Sequence, residues 1–283
     1  MILTKGEIIN DTYTVIFFIG QGAFGEVYRV KHKFLGLQVL KILKSEYVLN
    51  SDLDTLIKEA VILSKLTHEN IVRVFETNNF VKGDKVFYYL AMEFVSGESL
   101  SDLLKRKISL SLNKAIKIQT DFLKGLAIAH LNSIIHRDIN PDNILLSYDE
   151  IEPKGLLSDF GLAQRVNGLE KISNAAGRYL YFAPECFSDI YMPTSDVFSA
   201  GIVFYRMLTG TSPWEIELMS FDDFDEIRKN IISSRRKKPI APSFFNDKIS
   251  KEIDRVVQKS LELNIENRYK SGAEFLTAIN KII

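Results

Sequence analysis

The pattern of apolar residues changes near residue 97, and this change limits the folds that the chain can adopt. Before it, short runs rich in β-branched and aromatic residues, such as 13–19 and 26–30, surround one helical stretch. After it, apolar residues recur with the period of an α-helix. The sequence therefore predicts an α+β chain with two lobes, a small β-rich lobe over about residues 1–95 and a larger, mostly helical lobe over about residues 96–283.

The composition is typical of a folded enzyme without a strongly charged surface. Of the 283 residues, 46% are hydrophobic, which is enough for a sizeable core. The 36 basic and 36 acidic residues cancel, so neither nucleic acid nor a membrane is expected as a partner. The single cysteine, Cys186, suits a reducing compartment, and the expected location is the cytoplasm. The most apolar long window, 197–208, is too short to cross a bilayer and indicates a buried helix.

A glycine-rich run separates the first two strand-like segments. Because a strand follows the glycines, the run is predicted to be a hairpin, whereas a dinucleotide-binding fingerprint would need a helix there. A plain turn is one interpretation; the other is a cover over nucleotide phosphates, in which backbone amides approach the oxygens. The run consists of Gly20, Gln21, Gly22, Ala23, Phe24 and Gly25.

Lys41 and Glu59 form a candidate ion pair. Lys41 lies in a strand-like run, where a lone lysine is usually a solvated edge residue. Ser51 and Asp52 can cap a following helix whose apolar stripe is bordered by Glu59. An inward carboxylate needs a partner, and a paired Lys41 would be held in place to bind the α- and β-phosphates of a nucleotide. The alternative is that Glu59 is a surface residue.

Two acids and one amide follow at spacings suited to phosphoryl transfer. Asp138, in the octet 136–143, is a candidate base or orienter for an acceptor hydroxyl. Asn143 offers an amide oxygen to a metal ion, and Asp159, which opens an Asp-Phe-Gly triplet, offers the hard carboxylate that magnesium prefers. An isolated Asp-Phe-Gly is more often a turn, but each part here falls in the local context that its chemistry requires.

The octet and the triplet resemble the catalytic loop and the metal-binding motif of protein kinases. The resemblance covers about Tyr13 to about Ile279 and is closest to bacterial Hanks-type (eukaryotic-like) serine/threonine protein kinases. It implies a two-lobed, protein-kinase-like fold and a single catalytic domain over residues 1–283. Such a domain transfers the γ-phosphoryl group of ATP, with Mg²⁺ or Mn²⁺, to serine or threonine hydroxyls of protein substrates, and autophosphorylation is expected.

The same resemblance implies a nucleotide site. The segment around Met92 resembles the kinase hinge, in which the backbones of Glu93 and Val95 meet the adenine edge and Met92 is the gatekeeper. Three apolar residues are expected to sandwich the adenine: Val27, Val39 and Leu145. Val39 replaces a customary alanine and adds bulk above the purine.

Other positions match structural or regulatory residues of the family. Asp196 matches a buried aspartate that braces the catalytic loop, and Arg268 matches the arginine that pairs with Glu185. Arg137 matches the arginine that binds a phosphorylated residue of the activation segment. Of the hydroxyl residues between Asp159 and Glu185, which are Ser173, Tyr179 and Tyr181, Ser173 is the better candidate for that modification. The activating signal is expected to arrive through a separate regulatory protein partner.

Asn140 and Arg178 depart from the family pattern at the reaction centre. Asn140 stands where serine/threonine kinases usually carry a lysine that neutralises the transferring phosphate. Arg178 stands where they usually carry a threonine that hydrogen-bonds the catalytic aspartate. We hypothesise that the two changes compensate, with the Arg178 guanidinium supplying to the γ-phosphate the charge that Asn140 lacks.

Two classes of function are left open by the sequence. The favoured class is an ATP-dependent protein kinase, and the rival is a nucleotide-binding pseudokinase that acts as a scaffold or allosteric partner. Asn140 and Arg178 support the rival, whereas the other matching residues argue against it. The basic run 235–238 is interpreted as a solvated loop between helices and not as a docking patch for nucleic acid.

Overall fold

The computed structural model describes residues 1–22, 25–43, 64, 66–149, 152–160, 176–216 and 224–283. These residues fall into two compact units, the first within 1–68 and 72–95 and the second within 69–71 and 96–283. The first unit is built on a β-sheet and the second mainly on helices, which confirms the predicted α+β class.

Six antiparallel strands form the sheet of the first unit, in the order β1-β2-β3-β4-β6-β5. The second and third strands contain the two runs whose β-branched and aromatic residues predicted them. Gly83, at φ +61°, forms the turn between the last two strands, where a left-handed backbone favours glycine. The strands are β1 Ile8–Ile9, β2 Tyr13–Gln21, β3 Gly25–His32, β4 Gly36–Leu43, β5 Val74–Lys82 and β6 Lys85–Glu93.

The two faces of this sheet differ because side chains alternate along a strand. One face carries the hydrophobic core of the unit, which includes Tyr28, Val30, Leu40, Ile42, Tyr89 and Ala91. Val39 and Lys41 lie on the opposite face of β4. Val27 is the cross-strand partner of Lys41, and Met92 is the partner of Val39. Four residues of the predicted nucleotide site therefore share the face that is turned away from the core.

The glycine-rich run forms the predicted hairpin between β2 and β3. The N–H of Gly22 donates to the carbonyl oxygen of Gly25 at 2.9 Å. Gly25 is required by the close approach of β4, because a Cβ at this position would lie 1.8 Å from the carbonyl oxygen of Ile42. The tip of the hairpin, Ala23 and Phe24, lies outside the described residues.

The described part of the second unit combines helices with a small sheet in the order β7-β8-β9. The strands are β7 Gly97–Ser99, β8 Ile144–Ser147 and β9 Lys154–Leu157. The helices are α1 Leu100–Arg106, α2 Leu112–Leu131, α3 Ala176–Tyr179, α4 Pro193–Thr209, α5 Phe224–Ser234, α6 Lys251–Ser260 and α7 Gly272–Asn280. Within the described ranges, none of the helices has the length and apolar character needed to span a lipid bilayer.

Helix α4 is buried along most of its length, as the apolar window 197–208 predicted. Pro193 occupies its first turn, where a missing N–H costs nothing, and Gly210 ends it at φ +79°. Gly201 allows α4 to approach α6 closely, because a Cβ there would lie 2.1 Å from Oγ of Ser260. The close contact holds α4 and α6 in a fixed position relative to each other.

The segment after β6 passes into the small sheet. Strand β6 ends at Glu93, and β7 begins at Gly97. Gly97 pairs there with Ser147 of β8, and a Cβ would lie only 1.7 Å from the carbonyl oxygen of Leu146. Helix α1 follows, with the Ser99 side chain capping its N-terminus.

Candidate active site

The carboxylate of Asp138 lies at the centre of a hydrogen-bond network in the second unit. Asp138 is buried, with 5% of its surface exposed. The Nδ2 of Asn140 donates to Oδ1 at 3.0 Å, and the Nδ2 of Asn143 donates to Oδ2 at 2.6 Å. Each amide also donates to the backbone carbonyl of Asp138, at 3.1 and 2.9 Å. The two asparagines therefore hold the side chain and the backbone of the acid in one orientation.

Asp196, near the start of α4, holds the backbone of the loop 136–143 in place. Its buried carboxylate accepts the backbone N–H of His136 at 2.7 Å and that of Arg137 at 2.8 Å. The Nε2 of His130 lies 2.9 Å from the same group. Arg137 has a left-handed φ of +70°, which is strained for a residue with a side chain. Asp196 offsets that strain by satisfying the loop amides, and the amides in turn satisfy a carboxylate that would be costly to bury alone.

His136 links the loop to the end of β9. Its Nδ1 accepts the N–H of Asp138 at 3.3 Å, so the ring proton is on Nε2, which lies 3.0 Å from the carbonyl oxygen of Ser158. The His136 ring also packs on the Phe160 ring, with 4.5 Å between centroids. The catalytic-loop octet and the Asp-Phe-Gly triplet are thereby joined by direct contacts.

Asn143 and Asp159 are brought into proximity by the pairing of β8 with β9. Ile144 pairs with Leu157, and beyond this pair the N–H and Oγ of Ser158 donate to the carbonyl oxygen of Asn143 at 2.9 and 3.1 Å. Asp159 follows immediately, at a left-handed φ of +59°. The Nδ2 of Asn143 is used by Asp138, so its amide oxygen is directed the other way.

These two residues fit a magnesium ion that is completed by phosphate oxygens. An amide oxygen and a carboxylate are hard donors, and Mg²⁺ is usually held by one or two carboxylates together with the phosphates of a substrate. Within the described ranges, no group of three histidine, cysteine, aspartate or glutamate side chains could hold a metal ion. Two protein oxygens would leave most of the coordination sphere of such an ion to other ligands.

Arg178, at the C-terminal end of α3, makes a two-point contact with Asp138. Its Nη2 lies 2.5 Å from Oδ2, and its Nε donates to Oδ1 at 3.1 Å. This is the parallel, planar geometry in which a guanidinium binds a carboxylate most strongly. Each oxygen of Asp138 is thus approached by one amide and one guanidinium nitrogen. The structure brings together Asp138, Asn140 and Arg178, the acid and the two residues that depart from the family pattern.

The first unit positions the predicted phosphate-binding residues by strand pairing. Lys41 is buried, with 5% exposed, between Val27 of β3 and Leu90 of β6. Gly20 and Gly22 have open surroundings, because a Cβ at either would meet no described atom within 4 Å. Packing against the described residues therefore does not require glycine at either position.

The hinge residues lie at and beyond the end of β6. Met92 is buried beside Val39, and both have 9% of their surface exposed. The N–H of Glu93 donates to the carbonyl oxygen of Arg73 at 2.9 Å. Val95 follows as the last residue of the first unit, and Leu145, on β8, belongs to the second unit. Two further expectations, for Glu59 and Ser173, concern positions outside the described residues.

The basic run was interpreted wrongly at one position. Lys237 and Lys238 are exposed, as expected of a solvated loop, but Arg235 is only 1% exposed. It follows directly on α5, whose amphipathic pattern carries it onto the inner side, where it meets carbonyl groups. Its sequence neighbours gave no signal of this, because a run of four cations is usually solvated on every side.

A family model described as the protein kinase domain matches residues 13–277. The chain belongs to the protein kinase family. It is 29% identical over 282 residues to a probable serine/threonine-protein kinase of Clostridium perfringens, a match that covers 98% of this chain and 39% of that protein. It is also 29% identical over 279 residues to the serine/threonine-protein kinase PknB of Mycobacterium tuberculosis, covering 96% of this chain and 43% of PknB. The chain thus spans about two fifths of the length of these relatives.

A solved structure supports the fold. The kinase domain of PknI from Mycobacterium tuberculosis superposes with a TM-score of 0.74 at 23% identity, covering 99% of this chain and 100% of that one. The predicted protein-kinase-like fold is confirmed. The predicted resemblance to bacterial serine/threonine kinases is confirmed as well.

Proposed function

We propose that residues 1–283 form the catalytic domain of an ATP-dependent protein kinase that phosphorylates serine or threonine side chains of protein substrates. The observation that carries this proposal is the ordered carboxylate of Asp138, which two asparagine amides and the braced octet hold in a single orientation. A fixed carboxylate of this kind is suited to accept a hydrogen bond from an acceptor hydroxyl and to orient its oxygen. The serine/threonine kinases among the relatives support the choice of acceptor.

The proposed mechanism assigns a role to each predicted residue. Asp138 orients the acceptor hydroxyl and receives its proton, while Asn143 and Asp159 are the residues that would hold the metal. Magnesium, or manganese in its place, would neutralise charge on the β- and γ-phosphates. Lys41 binds the α- and β-phosphates as a buried point charge. Arg178 supplies the positive charge that Asn140 cannot supply, from a starting position on the Asp138 carboxylate.

The proposed nucleotide site uses the face of the first sheet that lies opposite its hydrophobic core. Gly20 and Gly22 leave room for phosphate oxygens near backbone amides. Adenine would contact Val27, Val39 and Leu145, with Met92 behind it and the backbones of Glu93 and Val95 at its edge. Glu59 remains the proposed partner of Lys41.

Substitution of Asp138 by asparagine tests the proposal. Purified protein is incubated with radiolabelled ATP, magnesium and a general protein acceptor, and transfer is measured for the wild type and for Asp138→Asn. We expect the variant to lose about 10²- to 10⁴-fold in kcat, because the amide cannot accept the proton of the hydroxyl. Nucleotide binding, followed by calorimetry, should be retained.

Asp142→Asn is the matched control, because Asp142 lies in the same octet but its side chain is exposed. It should retain wild-type transfer. Absence of transfer in all three proteins, with nucleotide still bound, would instead support the pseudokinase. Phosphoamino-acid analysis of the product then distinguishes serine and threonine from tyrosine acceptors.

We also propose that the kinase acts in the cytoplasm and is regulated by a partner protein and by autophosphorylation at Ser173. The buried thiol of Cys186, whose pKa burial raises to about 12, is consistent with a residue that takes no part in redox chemistry. The Nε of Arg137 is buried and has no acceptor within the described part of the chain, and a phosphate on the activation segment is proposed to supply one. Mass spectrometry after incubation with ATP tests the modification, and an active but unmodified enzyme would refute it.

A further inference from the structure

Arg235 is a buried cation that forms no ion pair with any carboxylate in the described part of the chain. Its guanidinium donates through Nη2 to the carbonyl oxygen of Leu180 at 2.7 Å and through Nη1 to that of Phe182. The guanidinium carbon lies 5.1 Å from the Phe198 ring and 5.5 Å from the Trp214 ring. Its Nε finds no hydrogen-bond acceptor among the described residues.

This arrangement is poorly explained by stability alone. Burial lowers the pKa of Arg235 to about 9, so the side chain still carries its charge at neutral pH. The carboxylate of the neighbouring Glu185 is engaged by Arg268 at 2.6 and 3.0 Å. A buried charge that lacks a contacting partner destabilises a fold relative to an apolar side chain of similar volume. The two carbonyl groups that Arg235 binds are therefore the feature to explain.

The segment 180–182 is held through all three of its backbone carbonyls. Arg235 donates to the carbonyl oxygens of Leu180 and Phe182, and the Oγ of Ser199 donates to that of Tyr181 at 2.7 Å. The Tyr181 hydroxyl accepts from Nη1 of Arg206 at 2.5 Å. Side chains from α4 and from the end of α5 thus fix this short stretch of backbone from behind.

The same segment is directly connected to the catalytic acid. The N–H of Tyr181 donates to the carbonyl oxygen of Arg178 at 3.0 Å, and Arg178 holds both carboxylate oxygens of Asp138. Residues 180–182 are therefore linked, through the backbone and side chain of Arg178, to the carboxylate of Asp138. A planar guanidinium fixes two carbonyls at a defined spacing, whereas a lysine ammonium can bond them only from a single point on a flexible stem.

We propose that Arg235 is a positioning residue that fixes the 180–182 backbone as the surface for the acceptor protein. The proposal rests on the proposed kinase function and deepens it, because it assigns protein-substrate affinity to a residue remote from the nucleotide. Arg235 acts through the segment and does not touch the reacting atoms.

Three variants test this role. Arg235→Met removes the guanidinium but fills the space between the two aromatic rings, and it should be at least as thermally stable as the wild type. We expect its KM for an acceptor peptide to rise about tenfold, the factor associated with losing one hydrogen bond to a charged donor. Its KM for ATP should be unchanged. Arg235→Lys should show a smaller rise, and Arg236→Met, at the exposed neighbouring position, should show none.

Hydrogen exchange provides a readout that does not depend on activity. Amide exchange at Tyr181 and Phe182 should accelerate in Arg235→Met and remain unchanged elsewhere in the second unit. An unchanged peptide KM with unchanged exchange would overturn the proposal. So would a general loss of stability in both Arg235→Met and Arg235→Lys, since that would mean a purely structural role. Absence of transfer in the wild type would count against the kinase function, while the exchange result would still decide the role of Arg235.

Discussion

At the scale of single residues, an amide occupies position 140, where the family usually carries lysine, and a positive charge occupies position 178, where it usually carries threonine. Asn140 directs its amide onto the Oδ1 of Asp138 and caps the following turn, with the N–H of Asp142 donating to its Oδ1 at 2.9 Å. It therefore acts in the structure as a support for the loop. The positive charge comes from Arg178, on a different segment, and reaches both oxygens of Asp138.

Loss of the Arg178 guanidinium should impair transfer and spare nucleotide binding. Arg178→Ala removes a cation from the proposed site of the γ-phosphate, and groups that stabilise transition-state charge contribute about 10²- to 10³-fold to kcat. Steady-state kinetics measures the loss in kcat, and calorimetric titration with ATP measures whether nucleotide affinity is retained. Normal activity in this variant would disprove the assignment.

A pair of substitutions tests the compensation directly. Arg178→Thr alone should be as inactive as Arg178→Ala, whereas Asn140→Lys combined with Arg178→Thr restores the usual family arrangement and should recover much of the lost rate. A double variant no better than the single one would show that the two positions act independently.

At the scale of elements, the loops of the site depend on the packing of buried helices. Asp196, in the first turn of α4, braces the octet, and Arg268 binds Glu185 beside the same helix. Helix α4 can hold these groups in place only if its own neighbours are fixed. Its contact with α6 at Gly201 and Ser260 is among the closest in the second unit.

Gly201→Ala should destabilise the protein, although alanine favours a helix over glycine. In an exposed helix the change would stabilise by about 1 kcal/mol. Here the new Cβ would lie 2.1 Å from Oγ of Ser260, and overpacking of this kind costs about 1–3 kcal/mol. Urea denaturation measures the difference.

Ser260→Gly provides the matched partner for a double-mutant cycle. It removes the opposing atoms, so the double variant should be more stable than the sum of the two single changes predicts, by about 1 kcal/mol or more. Additive effects would mean that α4 and α6 separate to accommodate the methyl group.

At the scale of the whole molecule, the free energy of unfolding should be highest around neutral pH and should fall at acid and at alkaline pH. Burial alone would raise the pKa of Glu185, but hydrogen bonding and the charge of Arg268 hold it below the ordinary 4.5. A lowered carboxyl pKa contributes stability above 4.5 that is lost as pH falls through the folded pKa. Burial raises the pKa of Tyr28 and of Tyr205 from 10.0 to about 12. Their contribution is present below pH 10 and is lost as pH rises toward 12.

Thermal denaturation across acid, neutral and alkaline buffers measures this profile. The Tm should fall on both sides of neutral pH. Glu185→Gln should have a lower Tm at neutral pH, because it leaves Arg268 buried without its anion, and a shallower decline below pH 4.5. An acid limb identical to that of the wild type would show that Glu185 does not contribute to it.

The sequence by itself determined the features that depend on local order. Runs of β-branched and aromatic residues around the glycines predicted the hairpin of β2 and β3, and a continuous apolar window predicted the buried helix α4, because both signals depend only on residues close in sequence. Motif spacing predicted that Asp138, Asn143 and Asp159 belong to one site, because a short loop and one strand pair connect them.

Only the tertiary structure decided which distant groups meet. Arg178 was expected near the phosphate, and its hydrogen bonds to Asp138 join segments 40 residues apart in sequence. Arg235, in a basic run typical of a solvated loop, is buried against carbonyl groups more than fifty residues away. Such contacts depend on how α4 and α5 pack against the 180–182 segment. Local spacing does not encode that packing, because the same residues would be solvated if either helix were placed differently.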